Sequence, residues 1–127
     1  MNLLLKMALA SVIGMVAATT ASAEGDATLG QKTFKKKCAA CHTVDKGGKK
    51  KVGPNLYAIV GREAAKFEGF KYSDAMVSSG LTWDETTLDH YLTQPKALVP
   101  KTKMIFAGLK KEQDREDLIA YLKTLAD

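Results

Sequence analysis

The chain has 127 residues, with 19 Lys or Arg against 14 Asp or Glu, and so carries a formal net charge of +5. This length suits one small domain. Two cysteines are too few for a four-cysteine zinc site, and basic residues are not interleaved with aromatic ones in the manner of nucleic-acid-binding proteins.

The first 23 residues have the pattern of a cleaved secretory signal peptide. Lys6 precedes an apolar run over residues 7–18, and Ala21-Ser22-Ala23 fits the small-residue cleavage rule. The run is short for a membrane span, so an uncleaved anchor is the weaker alternative. We predict cleavage after Ala23, export to the periplasm and a mature domain over residues 24–127. Loss of Lys6 lowers the net charge of that domain from +5 to +4.

Two amphipathic segments near the ends of this domain predict its main helices. Asp26 can cap a helix over residues 27–37, and acidic residues followed by regularly spaced leucines indicate a second helix over residues 111–126. Glycine inside a helix costs stability, so Gly30 indicates the close approach of another helix. We expect the two helices to cross at a contact formed by Gly30, Phe34, Leu118 and Tyr121.

The first helix leads directly into Cys38-Ala39-Ala40-Cys41-His42, a C-x-x-C-H pattern typical of c-type haem attachment. Side chains three positions apart on a turn point the same way, so both sulfurs can reach one porphyrin edge. The adjacent histidine can then ligate the iron. A thiol redox pair is the main alternative, although the strand and helix alternation of such folds is lacking. A zinc site would have to recruit the distant His90.

Between the terminal helices the sequence favours loops and short helices over strands. Glycine and proline turn signals predict a surface loop over residues 43–56, a short helix or turn over 56–60, and another loop over 62–72. A short helix should follow, capped by Ser73 or Asp74.

A stronger helical signal begins at Thr82, which with Glu85 matches the capping-box pattern. This helix should end near Thr93, because the residue before Pro95 is disfavoured in a helix. Residues 94–110 then contain two prolines and a glycine and should form an extended loop. The expected fold is therefore all-α.

A haem iron held by one histidine needs either a sixth ligand or an open site, and this choice separates electron transfer from ligand chemistry. Met76 and Met104 are the only methionines beyond the predicted signal peptide. Met76 lies in a short helical stretch, where methionine commonly fills a gap in the core. Met104 lies in the loop between prolines and a glycine, which can hold a soft thioether ligand, so we favour Met104.

Four segments of the chain resemble class I cytochrome c, in particular the mitochondrial type and its soluble bacterial counterparts. They are residues 38–44, 53–56, 102–108 and 115–122, and their order and separation match as well as their residues. The resemblance covers essentially all of residues 25–126. It implies a small all-α fold in which crossing N- and C-terminal helices, short helices and long loops wrap one covalent haem c.

The resemblance also implies roles for individual residues. Cys38 and Cys41 would be the thioether anchors, and His42 and Met104 the axial ligands of the iron. The Pro54 carbonyl would accept a hydrogen bond from the second ring nitrogen of His42 and so fix its tautomer.

Further positions match the haem surroundings of the family, in chain order Arg62, Tyr72, Trp83, Tyr91, Thr102 and Phe106. The first three match the inner-propionate environment, the next two the surroundings of the methionine sulfur and a propionate, and the last an aromatic beside the exposed haem edge. Without the resemblance, the first three indicate only aromatic packing and a solvated arginine. Two positions depart from the family. Met76 replaces a common asparagine of a buried hydrogen-bond network, and Lys101 replaces a glycine.

The function implied is that of a soluble, monomeric one-electron carrier, not an enzyme. It would shuttle electrons between membrane redox complexes, such as a cytochrome bc complex and a terminal oxidase or photosynthetic reaction centre. A haem peroxidase or ligand sensor would need Met104 off the iron and His90 as the distal group. Lysines flank the haem-holding segments, which favours docking to acidic surfaces over a merely solvated face. The docking set is Lys37, Lys51, Lys96, Lys101, Lys103, Lys110 and Lys111.

Overall fold

The computed structural model describes residues 24–127, so the predicted signal peptide lies outside the described residues. Within this range the helices are α1 (Ala27–Lys37), α2 (Asp74–Ser78), α3 (Glu85–Thr93), α4 (Pro95–Leu98) and α5 (Glu112–Lys123). Apart from one isolated bridge between Glu63 and Thr82, these residues contain no β-structure, which confirms the all-α prediction. None of the helices from α1 to α5 is long and apolar enough to cross a membrane.

The crossing of α1 and α5 forms the centre of the fold. A Cβ atom added to Gly30 would lie 1.8 Å from the carbonyl oxygen of Asp117, so a side chain at this position would push the helices apart. Phe34 is buried beside the crossing, and its ring centroid lies 5.7 Å from that of Tyr121. The predicted contact is confirmed. Burial of a large apolar side chain of this kind contributes about 1.5–3 kcal/mol to folding.

Arg115 connects α5 to the chain segment that follows α4. It is buried, its Nε donates a hydrogen bond to Asp89 of α3 across 2.7 Å, and its guanidinium also donates to the carbonyl oxygen of Leu109 across 2.8 Å. A buried guanidinium needs such partners because desolvation of an unpaired charge is costly. The Arg115 contacts therefore hold the backbone at Leu109 against helices α3 and α5.

The start of α3 differs from the predicted capping box. The N-cap is Asp84, whose carboxylate accepts a hydrogen bond from the Thr87 amide across 2.7 Å. Thr82 lies outside the helix, in the bridge with Glu63. The prediction was wrong because two acceptable capping residues lie close together and a tertiary contact takes one of them.

Three other boundaries are clarified by the structure. The N-cap of α2 is Ser73, whose hydroxyl accepts from the Met76 amide across 3.1 Å. Residues 56–60 form turns rather than a helix. The predicted loop over residues 94–110 contains α4, because Pro95 both ends α3 and supplies the preorganised first residue of a new helical turn.

Candidate functional site

An apolar cavity of about 320 Å³ opens between the end of α1, the loop after it, helices α2 and α3, and the segment that follows α4. Ten of the eleven positions that the sequence suggested contribute to its lining; they are Cys38, Cys41, His42, Pro54, Tyr72, Trp83, Tyr91, Thr102, Met104 and Phe106. Arg62 lies outside the lining. The fold therefore brings residues from distant parts of the chain into one site.

The C-x-x-C-H residues form a turn that continues from α1. The backbone amides of Cys41 and His42 both donate to the Cys38 carbonyl oxygen, each across 3.0 Å. Cys38 is half-buried and Cys41 is exposed, and no disulfide joins them. Burial raises the pKa of the Cys38 thiol to about 11, and the neighbouring Cys41 adds to this increase. A thiol redox enzyme lowers the pKa of its attacking cysteine, and burial acts in the opposite direction at Cys38.

His42 is held in one orientation by two neighbouring residues. Its Nδ1 lies 2.8 Å from the Pro54 carbonyl oxygen and donates to it, because a carbonyl can only accept. A Cβ atom added to Gly53 would lie 2.5 Å from the imidazole ring, so glycine is required for this approach. Burial lowers the pKa of His42, while the hydrogen bond to Pro54 acts in the opposite direction. The result is a neutral imidazole with Nε2 available as a ligand.

Met104 lies in the loop over residues 99–109, which we call the Met104 segment. The segment is anchored at both ends, since Val99 is only 1% exposed and the Leu109 amide donates to the Leu92 carbonyl across 2.7 Å. In the middle, the Thr102 hydroxyl accepts weakly from the Met104 amide at 3.4 Å. Met104 is half-buried and packs against the core.

Tyr91 supports this segment from α3. Its hydroxyl lies 2.7 Å from the Thr102 hydroxyl, and its ring packs 4.9 Å from Trp83, centroid to centroid. Burial raises the pKa of Tyr91, so the phenol stays protonated and can donate at neutral pH. Met76 also lines the cavity and is 8% exposed. Its thioether can accept a hydrogen bond only weakly, so Met76 adds little polar character to the cavity.

Arg62 lies behind the cavity lining, in a setting suited to an anion. Its guanidinium donates to the carbonyl oxygens of Tyr57 and Asn55 across 3.2 and 3.4 Å. Its Nε is buried and has no hydrogen-bond partner within residues 24–127. Burial also lowers the pKa of Arg62, because poor solvation disfavours the charged form of the guanidinium. A carboxylate at this position would satisfy both the orphaned donor and the charge.

The mouth of the cavity combines exposed apolar residues with lysines. Ile105 is fully exposed and Val52 is 75% exposed, although both also line the cavity. All seven lysines of the predicted docking set are exposed, and Lys37 and Lys103 contribute to the lining. The ion pairs found within residues 24–127 involve other basic residues, namely Lys46, Lys66, Arg115 and Lys123.

Ten further lining residues were not identified as site residues from the sequence: Val52, Gly53, Leu56, Ile59, Phe70, Ser73, Met76, Leu88, Leu92 and Ile105. The available signal was an apolar residue beside lysine or glycine in a loop, as at Val52, but such residues are too common to indicate a site. His90 is exposed on α3 and does not line the cavity, as expected for a surface residue. Among the described residues, the cavity lining contains no second histidine of the kind that a haem peroxidase would need as its distal group.

Comparisons with known proteins identify the family of this chain. The sequence model of the family described as cytochrome c matches residues 27–126. The chain is 57% identical over 100 residues to cytochrome c of Theileria parva, covering 79% of this chain and 86% of the relative. It is 53% identical over 110 residues to cytochrome c2 of Rhodomicrobium vannielii, covering 87% of each. Cytochrome c of Gossypium barbadense is 54% identical over 99 residues, which cover 78% of this chain and 89% of the relative.

The family model covers most of the chain, and the cavity between Cys38, His42 and Met104 has the donors and the apolar lining that a covalent haem needs. The chain therefore belongs to the cytochrome c family, whose members are electron carriers rather than enzymes and bind haem c covalently through cysteines, of which this chain has two.

Proposed function

We propose that this electron carrier holds its haem c between His42 and Met104 as axial ligands, with Cys38 and Cys41 as thioether anchors. The observation that carries the proposal is the 2.8 Å hydrogen bond from His42 Nδ1 to the Pro54 carbonyl, which leaves Nε2 as the ligating nitrogen. The two cysteines precede this histidine on the same turn. A covalent anchor and an axial ligand on one short segment hold the porphyrin in a single register.

Haem c, when bound, supplies an iron that changes reversibly between the ferric and ferrous states. His42 and Met104 would supply two ligands to this iron, which would disfavour exogenous ligands and favour electron transfer over ligand chemistry. A histidine and methionine pair raises the reduction potential. The apolar cavity acts in the same direction, because it disfavours the additional charge of the ferric form.

Met104 is the better candidate of the two methionines that line the cavity. It lies two residues after a tight turn that ends at Thr102, whose hydroxyl is paired with Tyr91. Met76 instead lies in α2 and is more deeply buried, as expected for a methionine that fills the core. The position of Met104 after the two prolines, and the resemblance of its segment to the family, also favour Met104.

The polar surroundings have separate tasks in this proposal. Arg62, Tyr72 and Trp83 would surround the inner propionate, and the orphaned Arg62 Nε is the donor that this carboxylate would satisfy. Tyr91 and Thr102 would hold the sulfur side of the cavity. The Phe106 ring would lie beside the exposed haem edge through which electrons pass.

Export and partners complete the proposal. The pattern of residues 1–23 supports cleavage after Ala23 and a location in the periplasm. There the protein would carry electrons between membrane redox complexes, such as a cytochrome bc complex and a terminal oxidase or photosynthetic reaction centre. The exposed lysines of the docking set, two of which line the cavity together with Ile105 and Val52, would steer it to acidic surfaces on those complexes, and the two apolar residues would allow brief contact.

The visible spectrum of the purified ferric holoprotein tests the ligand assignment. The band that arises from methionine-to-iron charge transfer should be present in the wild type and in the matched control Met76→Leu, and absent in Met104→Ala. A Met104→Ala variant that keeps the band contradicts the assignment. N-terminal sequencing of the exported protein tests the cleavage site, and a mature terminus other than Glu24 contradicts it.

A further inference from the structure

The turn that precedes Met104 has a left-handed residue that is not glycine. The Thr102 amide donates to the Val99 carbonyl across 3.0 Å, which closes a four-residue turn with Pro100 second and Lys101 third. Lys101 has φ +66°. Proline at the second position and positive φ at the third are the features of a type II turn, which favours glycine at the third position. The side chain of Lys101 therefore places strain in this turn.

This strain lies in the middle of the Met104 segment, where few hydrogen bonds hold the backbone in place. The Met104 segment is anchored firmly at Val99 and Leu109, at its two ends. Between them it is tied by the contact of Thr102 with Tyr91, by the long Met104 amide bond at 3.4 Å, and by the Lys103 ammonium, which donates to the Lys71 carbonyl across 2.9 Å. A segment with few internal contacts opens locally at a small free-energy cost.

The other left-handed non-glycine residues among residues 24–127 are elsewhere. Ala58 has φ +57° and Ala65 has φ +61°, and each lies in a loop before α2, away from the Met104 segment in the chain. Ala58 is exposed, and its amide donates to the Leu125 carbonyl. It therefore offers a matched site at which the same strain can be removed without touching the turn of Lys101.

We propose that Lys101 is a positioning residue whose strained backbone opposes closure of the Met104 segment, so that Met104 is held less firmly than it would be after a glycine. The inference rests on the proposed function, because it requires Met104 to be the sixth ligand. Opening of the segment lets φ of Lys101 return to an ordinary value and releases the strain. A ligand that binds only the open arrangement then gains affinity in proportion to the open fraction.

Imidazole binding to the ferric holoprotein, followed in the visible spectrum, measures this open fraction. Lys101→Gly should lower the apparent imidazole affinity about fivefold, because glycine adopts positive φ without strain. Lys101→Asn should fall between glycine and the wild type, since asparagine tolerates this conformation better than other side chains. Lys101→Ala removes the charge but keeps the strain, and should bind imidazole as the wild type does.

Two controls separate the possible outcomes. Ala58→Gly should raise the urea midpoint of unfolding much as Lys101→Gly does, yet leave imidazole affinity unchanged. An equal loss of affinity in Ala58→Gly, an unchanged affinity in Lys101→Gly, or a change in Lys101→Ala as large as in Lys101→Gly would each overturn the proposal. Met104→Ala should bind imidazole far more tightly than the wild type. If it does not, the proposed function has failed instead.

Discussion

The two sides of the haem cavity are built in different ways. On the His42 side, the proposed ligand lies on the turn that continues from α1, its ring rests on Gly53, and Pro54 accepts its hydrogen bond across 2.8 Å. On the Met104 side, the proposed ligand lies in the middle of a segment that is anchored at its ends, and its amide donates to the Thr102 hydroxyl across 3.4 Å. The difference indicates a fixed side that attaches the cofactor and a softer side that closes over it.

Gly108→Ala should have the largest effect, and it acts on the Met104 side. A Cβ atom at this position would lie 2.0 Å from the Thr93 carbonyl oxygen, and φ is +106°. Neither backbone can move easily, so we expect a loss of about 3 kcal/mol in the free energy of unfolding of the holoprotein. The methionine-to-iron band should weaken while covalent haem is retained. Urea unfolding and the visible spectrum check both.

Gly61→Ala is the matched control for Gly108→Ala. Gly61 has φ +86° but nothing within 4 Å of an added Cβ atom, so only strain remains and about 1 kcal/mol should be lost. Equal losses at Gly61 and Gly108 would show that the contact with Thr93 does not matter.

Gly53→Ala should have a smaller effect and acts on the His42 side. Its Cβ atom would meet the imidazole at 2.5 Å, and the ring can shift only by stretching its hydrogen bond to Pro54. We expect a loss of about 2 kcal/mol in the free energy of unfolding and a changed Soret band. The methionine-to-iron band should survive better than in Gly108→Ala. Greater loss of that band in Gly53→Ala than in Gly108→Ala would contradict the separation of the two sides.

Lysine substitutions on the two sides should have the smallest effects. The pairs Lys37→Gln with Lys51→Gln and Lys96→Gln with Lys110→Gln should each lower the rate of reduction by a purified cytochrome bc complex several-fold at low ionic strength. Stopped-flow kinetics measures the rate, and Lys32→Gln on α1 is the control. A wild-type rate that does not change with salt would rule out electrostatic docking.

The sequence predicted the fixed side better than the soft side, for a physical reason. The C-x-x-C-H turn, the cap of α1 and the requirement for Gly30 are local or involve one strong packing constraint. The capping residue of α3 could not be predicted, because the bridge between Thr82 and Glu63 is a tertiary contact. Helix α4 was missed because Pro95 is compatible with both the end of one helix and the start of another.

The candidate site divides in the same manner. His42 follows from the motif, and its partner Pro54 was predicted only through the resemblance to the family. We favour Met104 because its loop contains prolines and a glycine, whereas the position of Met76 in the same cavity depends on how α2 packs. The orphaned Nε of Arg62 depends on where two backbone carbonyls lie, and no sequence pattern encodes that.

Proton NMR of the reduced holoprotein tests the central claim, that His42 and Met104 hold the iron. The porphyrin ring current shifts the methyl group of an iron-bound methionine far upfield. We expect one such methyl signal in the wild type and in Met76→Leu, and none in Met104→Ala. Survival of the signal in Met104→Ala, or its loss in Met76→Leu, would contradict the account.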